Sequence, residues 1–299
     1  LTSAQFVDVA ISTVLGLIMF GVGLSLSIGD FTRIVRYPRA FFTALTVQLI
    51  GLPLVAFSIQ LFLSPLPEAV KVGFIILSAS PGGATSGFLT YLWRGNVALS
   101  LSITSVNSFV TLFSIPLITN LGLMVFLGHS TELHLPFLET IRHIFSIAIF
   151  PALLGIGVRS QFPAFAEKFS KPARYVMLVM LAVVFIIKFT AGKENGGAGL
   201  TAHDFLSISP FALLQNGFCL FLGYFVMQWM GLGHPSRLTA AMESGVQNTT
   251  LAFLITSNML HDQEMIKPAL IYSLFSFWTA CLFAYFSNKA HSYSSHFDH

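Results

Sequence analysis

The sequence predicts an all-α membrane protein: a polytopic bundle of about nine transmembrane helices, organised as inverted repeats, with two of the helices discontinuous. Three observations carry this reading. Hydrophobic residues make up 55% of the 299 and charged residues 9%, with a mean hydropathy of +0.78, whereas ordinary soluble domains carry roughly 25% charge. The apolar residues form continuous Leu-, Phe- and Ile-rich stretches, each near the ~20 residues a helix needs to cross the hydrocarbon layer. Strict alternation would mark a barrel, and it is absent from these stretches. Finally, two of the stretches are interrupted by residues that break helices.

The expected spans run approximately 5–27, 39–63, 70–92, 96–127, 138–158, 173–191, 204–230, 237–260 and 266–288. The fourth is long enough that it must tilt or extend beyond the bilayer. The first 26 residues carry Asp8 and no basic n-region, so they do not read as a secretory signal. The chain starts at Leu1, which leaves room for a further upstream helix.

Loop charge orients the bundle. With the amino terminus outside, ten of the fifteen basic residues fall on the inner side: Arg33, Arg36, Arg39, Arg94, Arg159, Lys168, Lys171, Arg174, Arg237 and Lys289. The positive-inside rule therefore predicts a multi-pass protein of the cell (inner) membrane with a cytoplasmic carboxyl terminus. The net charge of +3 comes from these loops. No basic patch interleaved with aromatics points to nucleic acid.

The third span contains "SASPGGATSG", where Pro81 removes a backbone donor and Gly82 and Gly83 are poor helix formers. The eighth contains "AAMESGVQNTTLAFLI", with Gly245 among polar residues. The two breaks are five spans apart, an odd number, so the interrupted helices run in opposite directions. That is the arrangement of an inverted repeat with a substrate and ion site near the midplane. Gln48, in the span before one break, is echoed by Gln215, in the span before the other.

Of the twelve acidic residues only Glu243 is expected deep within a span. A charge at a helix centre costs about 2.5–3.5 kcal/mol on insertion scales, so it needs a partner. No Lys or Arg is expected at that depth. Two readings stand: a protonated Glu bonded to a neighbouring helix, or a cation ligand. Ser100, Thr104, Asn107 and Thr111 recur at helical spacing and share one face. Their hydroxyls either bond back to their own helix or, with Ser86, Gln48 and Gln247, supply neutral oxygens suited to a small hard cation such as sodium. Cys219 and Cys281 sit inside spans and indicate no disulfide framework. His129 and His134 flank Glu132 in a loop that reads as a solvated connection.

"GLIMFGVGLSL", "SPGGATS", "YLWRGNVALSLSITS" and "ESGVQNTTLA" resemble, in matching order, the bile acid:sodium symporter family, and the chain looks like its nine-helix form. The resemblance implies panel helices at approximately 5–63 and 138–191, core helices at approximately 70–127 and 204–288, and two crossing broken helices. It implies sodium-coupled transport of a small organic anion such as a bile acid, pantoate or a related carboxylate by alternating access. By motif, one sodium position would use Ser86, Ser100, Thr104 and Glu243, and a second Gln48, Glu243, Gln247 and the carbonyls of Ser244 and Val246. Thr85 and Asn248 would meet substrate. One departure stands out: Gly87 occupies the place where the family commonly has Asn, so Asn107 or a water replaces that ligand, or only the second position works.

Competing readings are a proton-coupled or uniport exporter of the arsenite or auxin carrier type, with Glu243 as proton acceptor, and an intramembrane enzyme. The sequence contains no G-x-S-x-G or H-E-x-x-H motif, and no His is expected deep in a span. The chain therefore reads as a transporter and not an enzyme, with sodium, an organic anion and the lipid bilayer as its partners.

Overall fold

The computed structural model describes residues 12–14, 16, 17, 19–21, 23, 24, 38–128, 137–190, 198–260 and 262–297. Among these residues every regular element is a helix. The parts of 12–24 that are described are helical. They are followed by α1 (Pro38–Phe62), α2 (Glu68–Ala79), α3 (Ala84–Leu92), α4 (Val97–Leu127), α5 (Ile141–Gln161), α6 (Pro163–Thr190), α7 (Ala202–Trp229), α8 (His234–Gly245), α9 (Thr249–Leu254) and α10 (Gln263–Phe297). The loop holding His129, Glu132 and His134 lies outside the described residues, as does much of the expected first span.

Among the described residues, α1, α5, α7 and the Gln263–Ser292 part of α10 are long and apolar enough to cross a membrane unbroken. The expected fourth span, α4, does not run as one tilted rod: Val97–Thr111 and Phe113–Leu127 meet at 60°. Pro116 explains the bend, since it has no N–H for the carbonyl of Leu112 one turn earlier. The helix α6 begins ten residues before the expected span, because Pro163 is pre-organised for a first helical position. Its early turns carry Glu167 and Lys168, which read as loop in the sequence.

Both expected interruptions are present. Helix α2 stops at Ala79, Ser80 is extended, and α3 starts at Ala84. Helix α8 stops at Gly245 and α9 starts at Thr249. Gln48 sits in a π-helical turn, Val47–Gly51, inside α1. Pro53 lies just beyond it, where the regular ladder loses a donor.

Helix α1 packs on α2, α4 and α7, α2 packs on α4 and α10, and α7 packs on α8 and α10. Gly51 gives way to Leu222 at the α1–α7 contact, and Gly223 gives way to the Ala240 carbonyl at the α7–α8 contact. Helix α6 packs on α5, and α5 also meets α4; Gly155 of α5 lies against the carbonyl of Phe20, and Gly23 against that of Ala152. Small residues let membrane helices approach closely at such crossings.

Candidate functional site

The two interruptions meet. Gly83 N–H donates to the Val246 carbonyl at 2.7 Å and Asn248 N–H donates to the Pro81 carbonyl at 2.8 Å, a single antiparallel bridge between Gly82 and Gln247. Backbone groups freed by the breaks therefore satisfy one another in a buried region, where each lost bond is costly. The Asn248 N–H would otherwise close a helical turn onto the Ser244 carbonyl. Only glycine fits at 82, since a Cβ there would stand 2.2 Å from Glu243 Oε2.

Glu243 is fully buried. Its Oε1 accepts from Ser86 Oγ at 2.7 Å and Ser100 Oγ at 2.5 Å, and its Oε2 accepts from Thr104 Oγ1 at 2.8 Å. Thus α3 and α4 deliver three hydroxyls to a carboxylate carried by α8. Ser86 Oγ also lies 2.7 Å from the Gly83 carbonyl, and its one proton serves one acceptor at a time. Ion pairs form elsewhere: Lys71 with Glu68, and Lys267 with Asp204 and Glu264. None of the ion pairs among the described residues involves Glu243.

The second group of expected ligands adjoins the first. Gln48 Nε2 donates to the Glu243 carbonyl at 3.1 Å, and Gln48 Oε1 accepts from Asn107 Nδ2 at 2.6 Å. Asn107 therefore joins Gln48 through its Nδ2, which leaves its Oδ1 unengaged. Thr111, the last residue of the polar stripe, bonds back to the Ser108 carbonyl at 3.0 Å. Ser244, Val246 and Gln247 are all buried. Gln247 Oε1 and Asn107 Oδ1 are buried acceptors with no hydrogen-bond partner. Buried acceptors facing no donor fit a cation, which satisfies oxygens without supplying a proton.

Thr85 is exposed in the first turn of α3, and Asn248 is partly buried. Asn248 Oδ1 caps α9 by accepting from Leu251 N–H at 3.0 Å. Gly83, the N-cap of α3, supplies no side chain to the first turn of that helix, so this end presents backbone donors and partial positive charge.

A network not anticipated from the sequence holds the break from behind. The Gly245 carbonyl accepts from Asn216 Nδ2 at 2.7 Å and from Tyr272 Oη at 2.7 Å, while Thr279 Oγ1 donates to Asn216 Oδ1 at 2.5 Å. The available signal was Asn216 beside Gln215 and Tyr272 within an apolar span. The Gln48–Gln215 echo does have a structural counterpart. Gln48 reaches the second broken span, and Gln215 Nε2 lies 3.4 Å from the Phe74 carbonyl of the first.

Two broken helices bridged at their breaks, around a buried carboxylate ringed by hydroxyls, are the architecture of a polytopic helical carrier. The chain belongs to the sodium bile acid symporter family, whose model matches residues 12–195. It is 28% identical over 268 residues to a sodium-dependent transporter of Bacillus subtilis whose name carries no substrate, covering 90% of this chain and 78% of that one. It is 26% identical over 290 residues to the human (Homo sapiens) ileal sodium/bile acid cotransporter, covering 93% and 80%. It is 27% identical over 259 residues to a chloroplastic "probable sodium/metabolite cotransporter" of Oryza sativa subsp. japonica, covering 86% of this chain but only 58% of that one. The family is one of transporters and not of enzymes.

Proposed function

We propose that this protein couples sodium entry to transport of a small organic anion by alternating access. The observation that carries the proposal is Glu243: a fully buried carboxylate that takes three hydroxyl donors and no cationic side chain. Neutral oxygens around one carboxylate suit a monovalent hard cation, and an ion there offsets a charge that would otherwise be costly.

In this reading Ser86, Ser100, Thr104 and Glu243 contribute to one sodium position. Gln48, Glu243 and Gln247, with the carbonyls of Ser244 and Val246, contribute to a second. Gln247 Oε1, unpartnered in the fold, supports the second position. At Gly87 the first position lacks a side-chain amide, so Asn107 Oδ1, unpartnered in the fold, or a water completes it, or the second position works alone. Substrate carboxylate is drawn to the first turn of α3, beside Thr85 and Asn248, by backbone donors and the helix dipole. Neutralising Glu243 lets the crossing segments keep one arrangement while the core helices, approximately 70–127 and 204–288, move against the panel helices, approximately 5–63 and 138–191. The charge pattern supports an outside amino terminus and a cytoplasmic carboxyl terminus.

Reconstituted protein tests this. Uptake of a bile acid, pantoate or related carboxylate into proteoliposomes is expected under an inward sodium gradient and lost when choline replaces sodium at constant pH. Uptake driven by a pH gradient and indifferent to sodium would instead establish the proton-coupled exporter reading. A sodium Hill coefficient near two counts both positions, and one near unity assigns a single ion.

A further inference from the structure

A cavity of about 540 Å³ opens where the end of α3, the start of α8 and the last turns of α10 converge. It stands about 18 Å from the bridge, by the length of α8, and none of the residues placed at the cation positions lines it. Trp93, Arg94, His234, Asn288 and His291 do, and among the described residues no carboxylate does. We propose that it binds the headgroup phosphate of an anionic phospholipid.

The polar half of the argument is donor chemistry. Arg94 is exposed, and its guanidinium makes no hydrogen bond or ion pair among the described residues. It is also the one non-glycine described residue with positive φ, 59°, a conformation in which a long side chain is uncommon. Trp93 Nε1 is a buried donor without a partner. His291 is exposed and stacks on His234 at 4.2 Å between ring centres. The wall behind them is fixed. His234 Nε2 contacts Asn288 Oδ1 at 2.7 Å and His234 Nδ1 contacts Tyr224 Oη at 3.0 Å, while Asn288 Nδ2 reaches the Trp93 carbonyl. Because Asn288 spends its amide donor on Trp93, its oxygen accepts from His234, which places the imidazole proton on Nε2 and makes Tyr224 the donor to Nδ1.

The apolar half lies on the helices leading to the cavity. Phe88, Tyr91 and Leu92 share one exposed face of α3, at i, i+3 and i+4, and Leu282, Tyr285 and Phe286 share one of α10 with the same spacing. Each face ends one turn or less from a cavity residue. A molecule with two acyl chains and a phosphate matches both parts, and basic pockets between helices at the membrane surface take such headgroups. The charge pattern puts this end at the cytoplasmic leaflet, where anionic lipid is concentrated. The ligand would tie α3, which carries Ser86, to α8, which carries Glu243.

The test is thermal unfolding of the full chain in detergent, titrated with phosphatidylglycerol, with phosphatidylcholine of the same acyl chains, or with inorganic phosphate. Phosphatidylglycerol is expected to raise Tm, with phosphatidylcholine and phosphate having little effect. Arg94→Asn, which keeps a residue tolerant of positive φ, and His291→Gln are each expected to weaken the lipid response about fivefold. Lys71→Gln, at the other end of the interrupted first broken span, leaves it unchanged. The sodium-dependent rise in Tm is expected to persist in Arg94→Asn and His291→Gln, which reports that they are folded. Equal stabilisation by phosphatidylcholine, or an unaltered response in both cavity variants, overturns the proposal. A response to inorganic phosphate as large as that to phosphatidylglycerol overturns the lipid assignment in favour of a free anion.

Discussion

Gly82 and Gln247 face each other across a single antiparallel bridge, and the same Gly82 backs directly onto the carboxylate of Glu243. The crossing point and the ion site are therefore one structural unit. A methyl group at 82 cannot enter without moving the carboxylate or opening the bridge. Gly82→Ala is expected to reduce sodium-driven uptake at least tenfold while far-UV circular dichroism stays helical. Uptake at the wild-type rate would show that the carboxylate has room the structure denies it.

Glu243 is the second point of leverage. Sodium at one hundred times its dissociation constant should stabilise the protein by about 2.7 kcal/mol if it binds only the folded state. In Glu243→Gln the amide keeps the shape but removes the charge. The expected result is a Tm at or above that of the sodium-free wild type, no further rise with sodium, and no sodium-driven uptake. Retention of the sodium-induced shift in Glu243→Gln would remove the carboxylate from the cation site.

These features were legible in the sequence to different degrees. Pro81 with its two glycines, and Gly245 among polar residues, mark the breaks because they act locally on the helix. Their offset of five spans, an odd number, dictates antiparallel crossing. Ser86, Ser100 and Thr104, grouped with Glu243 by the family motif, lie within hydrogen-bond distance of it, although helical spacing alone also allowed their hydroxyls to bond back to their own helices. Long-range pairing was not legible: nothing local tells Asn107 to choose Gln48, or directs Pro81 and Asn248 to each other. The 60° bend in α4 is a partial case, because Pro116 was visible but a membrane helix can absorb a proline without bending so far. The placement of α1 depends on Gln48 meeting Glu243, 195 residues later, and on Gly51 meeting Leu222, which spacing alone does not reveal.

The Asn216–Tyr272–Thr279 network should behave as a structural clamp on the Gly245 carbonyl. Tyr272→Phe leaves that carbonyl one donor and is expected to cost about 0.5–1.5 kcal/mol. Asn216→Ala removes a donor from Gly245 and the acceptor of Thr279, and should cost more. A double-mutant cycle by thermal denaturation in detergent should give an interaction energy different from zero, because the two side chains share one acceptor and touch each other. Additive losses would mean that the clamp is not a unit.

His234 lies outside the expected spans, just before the eighth, and supplies a pH dependence. Burial holds its pKa below the ordinary histidine value, opposed by the hydrogen bond to Asn288 and reinforced by the nearby charges of His291 and Arg237. The unfolded chain therefore binds a proton more readily than the folded one. Stability from this group is present above the unfolded pKa of about 6.5, and is lost as pH falls below it and through the lower folded value. Tm should fall between pH 7 and pH 5 in the wild type, and His234→Gln, which keeps an amide able to bond Asn288, should flatten that part of the profile. An identical profile in the variant would assign the acid sensitivity to other groups.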